Sequence, residues 1–221
     1  MDIAGLVTVG ADEGALLDEL ADMVGTCFRE EMWYVRWLEV LDADEARKLA
    51  ITRASIRADY AETAPYGCVY TLPDHAGAAN VYLRSALRGT SWPELEERAT
   101  QRMEGVLSPA EQEALLVRGL AMEAVSDTAW PLEVAAPDED FLYFISAGVD
   151  PARRGTGAFR RLFTPFLDAA DKRGIACYLD CYTERLEQLY GHFGFEVVGR
   201  NRDDALDLEE RLMVRRPHTA G

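Results

Sequence analysis

Hydrophobic positions recur along the chain with two periods, and the switches between them delimit the elements. Over residues 12–28, Leu16, Leu17, Leu20, Met23, Val24 and Cys27 fall on one face at helical spacing, which predicts an amphipathic helix. An aromatic-rich stretch follows at 28–38, and 44–63 reads as a further helix, polar on most faces. Runs at 67–72 and 78–83 flank a turn at 73–77 and predict a β-hairpin. Ser91-Trp-Pro-Glu94 and Ser108-Pro-Ala-Glu111 each combine a hydroxyl cap, an early proline and a glutamate three residues on. They predict the starts of two helices, running to about 104 and 126. Residues 127–140, with Pro131 and Pro137, read as loop.

The last third alternates. An apolar run at 141–149 enters a turn holding Pro151, Arg153, Arg154, Gly155 and Gly157. Phe159, Leu162, Phe163, Phe166, Leu167 and Ala170 then repeat at helical spacing. A strand at 175–181, a helix at 184–191, a strand near 195–199 and a last strand within 202–215 complete the pattern, with 216–221 as a frayed tail. There is no internal repeat and no low-complexity tract.

The turn carries the first candidate chemistry. Glycines that open a helix aim several backbone N–H groups, and the positive end of the helix dipole, at one point. Such a point suits a phosphate or pyrophosphate. The dinucleotide fingerprint fails here, because its third glycine would fall at Arg160. A P-loop fails too, since no lysine stands near Gly155. An ordinary strand-to-helix connection with capping glycines is the other reading of this turn.

Together with the segments downstream of it, the turn resembles the GNAT family of N-acetyltransferases. The residues behind this are Val149-x-Pro-x-x-Arg154-Gly-x-Gly157, the strand 175–181, and Tyr190-Gly-His-Phe-Gly194-Phe195. Within the family the pattern is similar to puromycin N-acetyltransferase-like members, on the helical N-terminal half, Pro165 and Met213-Val-Arg215. The resemblance implies an α/β (α+β) fold with a mixed, mostly antiparallel central sheet flanked by helices. It implies one domain over 1–221, with a substrate side in 1–130 and an acetyl-CoA core in 141–199. It also implies acetyl-CoA as acetyl donor, held by main-chain groups of Ala147 and Val149 and by Arg154, Gly155, Thr156, Gly157, Ala158 and Phe159. Thr183 stands where relatives contact the pantetheine arm, and its hydroxyl equally suits a helix cap. Tyr190 would act as general acid toward the leaving thiolate. One alternative keeps the fold and takes a protein or peptide amine as acceptor; the other, because Phe159 departs from the family's glycine or alanine, is a GNAT-like module that binds a ligand or partner without catalysis.

Composition narrows the partners. With 23 basic against 39 acidic residues the formal charge is −16, a field that repels nucleic acid and anionic membrane and attracts cations. That balance fits a small-molecule amine as acceptor, and equally plain solubility. Positive charge for the cofactor's phosphates would come from Arg153, Arg154, Arg160 and Arg161. The four cysteines, Cys27, Cys68, Cys177 and Cys181, lack metal-like spacing and read as reduced thiols, so no metal is expected. No apolar run reaches the roughly 20 residues of a membrane span, and the expected location is the cytoplasm. A homodimer is compatible with this reading. Candidate general bases are Glu31, Glu62, Glu133 and Asp140, which the sequence leaves unranked. The aromatics Phe28, Trp33, Tyr34 and Trp37 fit either helix core or a cation–π wall.

Overall fold

The computed structural model describes residues 1–87 and 89–218. Strand order across its single seven-stranded sheet is β1-β2-β3-β4-β5-β7-β6. The strands are β1 (Val7–Thr8), β2 (Val69–Thr71), β3 (Gly77–Leu83), β4 (Phe141–Val149), β5 (Ala176–Cys181), β6 (Glu196–Asp203) and β7 (Leu208–Arg215). All neighbours run antiparallel except β4 and β5. The expected hairpin is β2–β3, in register Tyr70↔Ala79.

Helices cover both faces because the central strands are apolar on both. On one face, α7 (Ala158–Arg173) buries Leu162, Phe163, Phe166 and Ala170 against Leu142, Phe144, Cys177 and Leu179. Cys177 and Cys181 share this face, as their spacing predicts. α8 (Glu184–Gly191) leans on the same cluster through Leu186 and Tyr190. On the other face, α1 (Gly14–Phe28) and α3 (Glu45–Thr63) pack on β2 and β3, through Leu17, Leu20, Val24, Ile51 and Ile56. α4 (Trp92–Arg102) and α6 (Trp130–Val134) bring Trp92, Leu95 and Trp130 onto Tyr82, Phe141, Tyr143 and Tyr178. Each fully buried Leu or Phe contributes roughly 1.5–3 kcal/mol.

Both predicted capping boxes form, at the N-termini of α4 and α5 (Pro109–Met122). α2 (Met32–Leu38) occupies the aromatic stretch. Phe28, Trp33, Tyr34 and Trp37 meet one another there, mostly edge-to-face, with ring centroids 5.1–6.0 Å apart, and Tyr34 is buried. Two expectations differ from the structure. Residues 127–140 are not all loop, because Trp130 seats its ring in the core and carries a short helix, α6, with it. The strand expected near 195–199 extends to Asp203, since an edge strand needs only one apolar face and its charged positions disguise it. The helix expected over 44–63 forms as α3, polar on most faces, and buries Ile51, Ile56, Ala58 and Tyr60. The expected frayed tail lies outside the described residues from position 219 onward; His218 donates its backbone N–H to Asp171. No helix among the described residues is long and apolar enough to cross a membrane.

Two irregularities of β4 matter for function. Asn80 pairs with Ser146 but Val81 pairs with Phe144, so Ile145 is a bulge that bends the strand. Pairing of β4 with β5 ends at Phe144↔Leu179. Beyond that point β4 stays with β3 to Gly77↔Val149, and β5 stays with β7 to Cys181↔Arg211. The two parallel strands therefore splay apart, leaving a gap in the middle of the sheet.

Candidate active site

One rim of the gap is the turn after β4. Gly155 and Gly157 adopt φ of +79° and +83°, the left-handed region where a side chain is strained. A Cβ at either would meet nothing within 4 Å, so the glycines line open space. Gly157 caps α7 without a side-chain bond. Among the described residues the amides of Gly157, Ala158, Phe159 and Arg160 have no acceptor from the protein, and they sit at the positive end of a 16-residue helix. Thr156 is committed locally, its hydroxyl donating to the Arg153 carbonyl at 2.7 Å. Arg153, Arg154 and Arg160 are exposed around the turn; Arg154 approaches Glu30 at 3.8 Å, and the Arg160 guanidinium lies 5.5 Å from the Phe193 ring centroid. An anion with several acceptor oxygens fits this cradle.

β4 supplies the adjoining wall. The Asp150 N–H donates to Ala76 at 3.0 Å, toward β3. Strand alternation then turns the amides of Ala147 and Val149 away from β3, into the gap. The Val149 carbonyl accepts from the Cys27 thiol at 3.2 Å, which locates α1 against the same wall. Gly148 makes that approach possible, since a Cβ there would stand 3.2 Å from Val24 Cγ2.

Phe159 packs sideways. Its ring stacks on Phe163 at 5.1 Å and meets Phe193 edge-on at 5.9 Å, inside the α7–α8 contact, while its N–H stays at the turn. Tyr190 borders the same aromatic group, 5.6 Å from Phe163 and 6.1 Å from Phe195. Burial raises the Tyr190 phenol above its ordinary range, reinforced by Cys181, Asp180 and Glu31, so it holds its proton. α8 is tied to the β6–β7 hairpin: Glu187 bridges Arg200 at 2.8 Å and Arg211 at 2.8 Å. Arg215 clamps Asp171 through two bonds of 2.8 and 2.7 Å and reaches the Phe193 carbonyl at 3.2 Å. Thr183 accepts from the Leu186 N–H at 3.3 Å, the helix-cap role. His192 is exposed, and its ring nitrogen is bonded to the Gln188 carbonyl at 2.6 Å.

The opposite rim is acidic. Of the four candidate bases, Glu62 pairs with Arg98 and Arg102, Asp140 bonds Ser85 and Arg173, and Glu133 is exposed. Glu31 alone is poised: one carboxyl oxygen accepts from the Trp33 N–H at 2.8 Å, and the other is buried with no partner. Burial pushes its pKa up to about 7, and the charge of Asp180 adds to the rise. Asp180, raised by burial, accepts from the Tyr143 hydroxyl. Tyr182 donates to Glu210 at 3.0 Å, and Asn201 holds the other Glu210 oxygen at 2.9 Å. Burial, then Asp180, lifts Glu210 to about 8. Asp180 and Glu210 escaped the sequence reading because an acid on a strand next to apolar residues looks like any solvated position. Among the described residues no three His, Cys, Asp or Glu side chains converge as a metal site requires.

No protein-family model matches the sequence, and no curated protein matches it. Solved structures do. An acetyltransferase of Corynebacterium glutamicum related to histone acetyltransferase HPA2 superposes with a TM-score of 0.55 at 16% identity, covering 99% of this chain and 99% of that one. An N-acetyltransferase of Staphylococcus aureus gives 0.53 at 16%, over 96% and 100% of the two chains. Arylalkylamine N-acetyltransferase 2 of Aedes aegypti gives 0.55 at 13%, over 96% and 98%. The fold is that of the GNAT acetyltransferases, as the resemblance implied. Its sheet is mixed and mostly antiparallel, with helices on both faces.

Proposed function

We propose that the chain is an N-acetyltransferase that moves the acetyl group of acetyl-CoA to the amine of a small molecule by direct attack. The observation that carries this reading is the splayed gap, with an anion cradle on one rim, the Tyr190 phenol packed on the α7 aromatics, and the buried Glu31 carboxyl on the opposite rim. Orphaned amides at the α7 N-terminus and the side-chain-free glycine turn fit the pyrophosphate. Arg153, Arg154 and Arg160 would add positive charge there. The amides of Ala147 and Val149 would hold the pantetheine arm like an added strand, once the Cys27 thiol yields the Val149 carbonyl.

Acetyl-CoA would supply an acyl group already activated as a thioester. The protein's part is then proton handling and electrostatics. The free oxygen of Glu31 takes a proton from the acceptor nitrogen as the nitrogen–carbon bond forms. Tyr190 gives its phenolic proton to the sulfur as the carbon–sulfur bond breaks, and an amide of β4 facing the gap stabilises the carbonyl oxygen. Glu31 and Tyr190 return to their starting states by exchanging protons with water. Small amines are accepted within this fold, as the name of the Aedes aegypti enzyme records. The expected setting is the cytoplasm, where acetyl-CoA is made and used.

The test is thiol release from acetyl-CoA over a panel of primary amines, beside a thermal titration with acetyl-CoA and CoA. Saturable stabilisation and amine-dependent thiol release are expected. No stabilisation by either nucleotide would sink the cofactor assignment and the reaction with it.

A further inference from the structure

The longer helices that flank the sheet turn charge to water, and α5 does not. The outward positions of α7 are Arg160, Arg161, Asp168, Lys172 and Arg173, and those of α4 include Glu94, Glu97, Arg98 and Arg102. α5 instead points Leu116, Val117 and Leu120 outward at 63%, 65% and 57% exposure, with Ala110 and Ala121 exposed beside them. Its inner face is apolar too, burying Leu115 and Met122. A helix apolar on both faces belongs in an interior. Exposed hydrophobics scattered singly need no explanation, whereas a contiguous face does.

The outward residues have the spacing of a helix with a partner. Ala110, Glu113, Val117, Leu120 and Ala124 follow one another at steps of three and four, the seam of a paired helix. Ala114 and Ala121 flank that seam and line a largely apolar groove with Val40 and Val117, so a second helix can come close. Glu113 is the one charged residue on the seam.

Charge decides what covers this face. The chain carries −16, so most of its surface repels a second copy and attracts cationic partners. Around α5 the acids are neutralised: Glu111 by Arg47 at 2.7 Å, and Glu39 by Arg118 and by Arg36 at 3.2 Å. A cationic partner finds little to pair with here, whereas a second copy brings an apolar, near-neutral face like this one. Antiparallel pairing about a two-fold axis at Val117 sets Leu120 over Ala114 of the other copy and Glu113 over Ala121, one turn from Arg118. Leucine then meets alanine, and the seam acid approaches a base, twice over. Covering these side chains in both copies removes on the order of 1,000 Å² from water, the lower end of specific interfaces.

We infer that α5 is a homodimer interface, in which two copies pack their α5 helices antiparallel about Val117. The same helix braces the proposed acceptor side. The Leu115 carbonyl accepts from the Trp37 indole at 3.3 Å, and Arg118 donates to the Arg36 carbonyl at 2.8 Å, both partners lying on α2. Pairing therefore steadies the helix that Glu31 caps.

Sedimentation velocity over roughly 1–200 µM protein tests this without any assay of activity. The wild type should pass from the chain mass to twice that mass. Val117→Glu puts two like charges face to face on the axis and should weaken the dimer by at least about thirtyfold. Leu120→Glu should weaken it in the same direction. Both positions are open to water in the single copy, so the variants keep its fold, which circular dichroism checks. Mild oxidation of Val117→Cys gives a second reading. A residue on the axis faces its own copy, so a disulfide-linked dimer should form, while Val134→Cys, 59% exposed on α6, should stay monomeric. A monomer at every concentration, a dimer untouched by both glutamates, or equal cross-linking at the two positions would each overturn the inference.

Discussion

The two rims of the β4–β5 gap hold opposite charge, and they do so by different means. The α7 rim is built from backbone: amides at a helix N-terminus, kept bare by Gly155 and Gly157, with arginines in solvent around them. The acidic rim is built from side chains, Glu31 at the cap of α2, Asp180 on β5 and Glu210 on β7, none paired with an arginine or lysine among the described residues. A backbone site is fixed by helix geometry and tolerates change beside it. Phe159 illustrates this, turning its ring into the α7–α8 packing while leaving its amide in place. A side-chain site depends on each carboxyl, and each one's burial works against the fold. The difference predicts large, local effects on the acidic rim and smaller, distributed ones on the backbone rim.

The largest effect should come from Glu31. Glu31→Gln removes the proposed base and should lower kcat/KM by roughly a hundred- to ten-thousandfold with the fold intact. Tyr190→Phe should lower kcat by about ten- to a thousandfold with little change in the affinity for acetyl-CoA, a split that burst kinetics and equilibrium titration can read. A matching loss in affinity would return Tyr190 to a packing role.

Next is stability. The Glu31 carboxyl has a pKa of about 7 in the fold against an ordinary 4.5. Below pH 4.5 both folded and unfolded chains hold the proton, so nothing is lost. Between 4.5 and 7 the unfolded chain releases it first, and stability falls as pH rises. Above 7 the full penalty, about 3 kcal/mol, applies. Glu31→Gln should therefore unfold at a higher temperature than wild type above pH 7 and show no advantage below 4.5. An enzyme that gains stability while losing activity would confirm that this rim is held in place against its own energetics.

The smallest effect belongs to the backbone rim. Gly157→Val forces a β-branched residue to φ of +83° and puts a side chain into the cradle. It should weaken acetyl-CoA binding by roughly tenfold, measured by calorimetry, without shifting the pH profile. A shift in that profile would mean the two rims are not separable.

The same contrast explains what could be read from the chain. The α7 turn lies in consecutive residues, so Arg154 to Phe159 and Tyr190 to Phe195 were legible as motifs, as were the Ser91–Glu94 and Ser108–Glu111 caps. The central strands were legible because they are apolar on both faces. The acidic rim was not. Glu31 stood level with Glu62, Glu133 and Asp140, and only the fold pairs Glu62 and Asp140 with arginines and leaves Glu133 in water. Asp59, Glu96, Asp180 and Glu210 are lost among 39 acids in the sequence. What distinguishes them is depth and, among the described residues, the lack of an arginine or lysine partner, which exist only once α3, α4, β5 and β7 have met. Phe159 was legible as a departure, while the direction of its ring required Phe163 and Phe193.

The most direct test of the account is the pH dependence of kcat/KM for acetyl-CoA-dependent acetylation, wild type beside Glu31→Gln. Activity in the wild type should rise as pH passes through about 7, where Glu31 loses its proton, and the variant should be slow with that limb absent. An unchanged limb in the variant would show that another group, or water, takes the proton, and would remove Glu31 from the reaction.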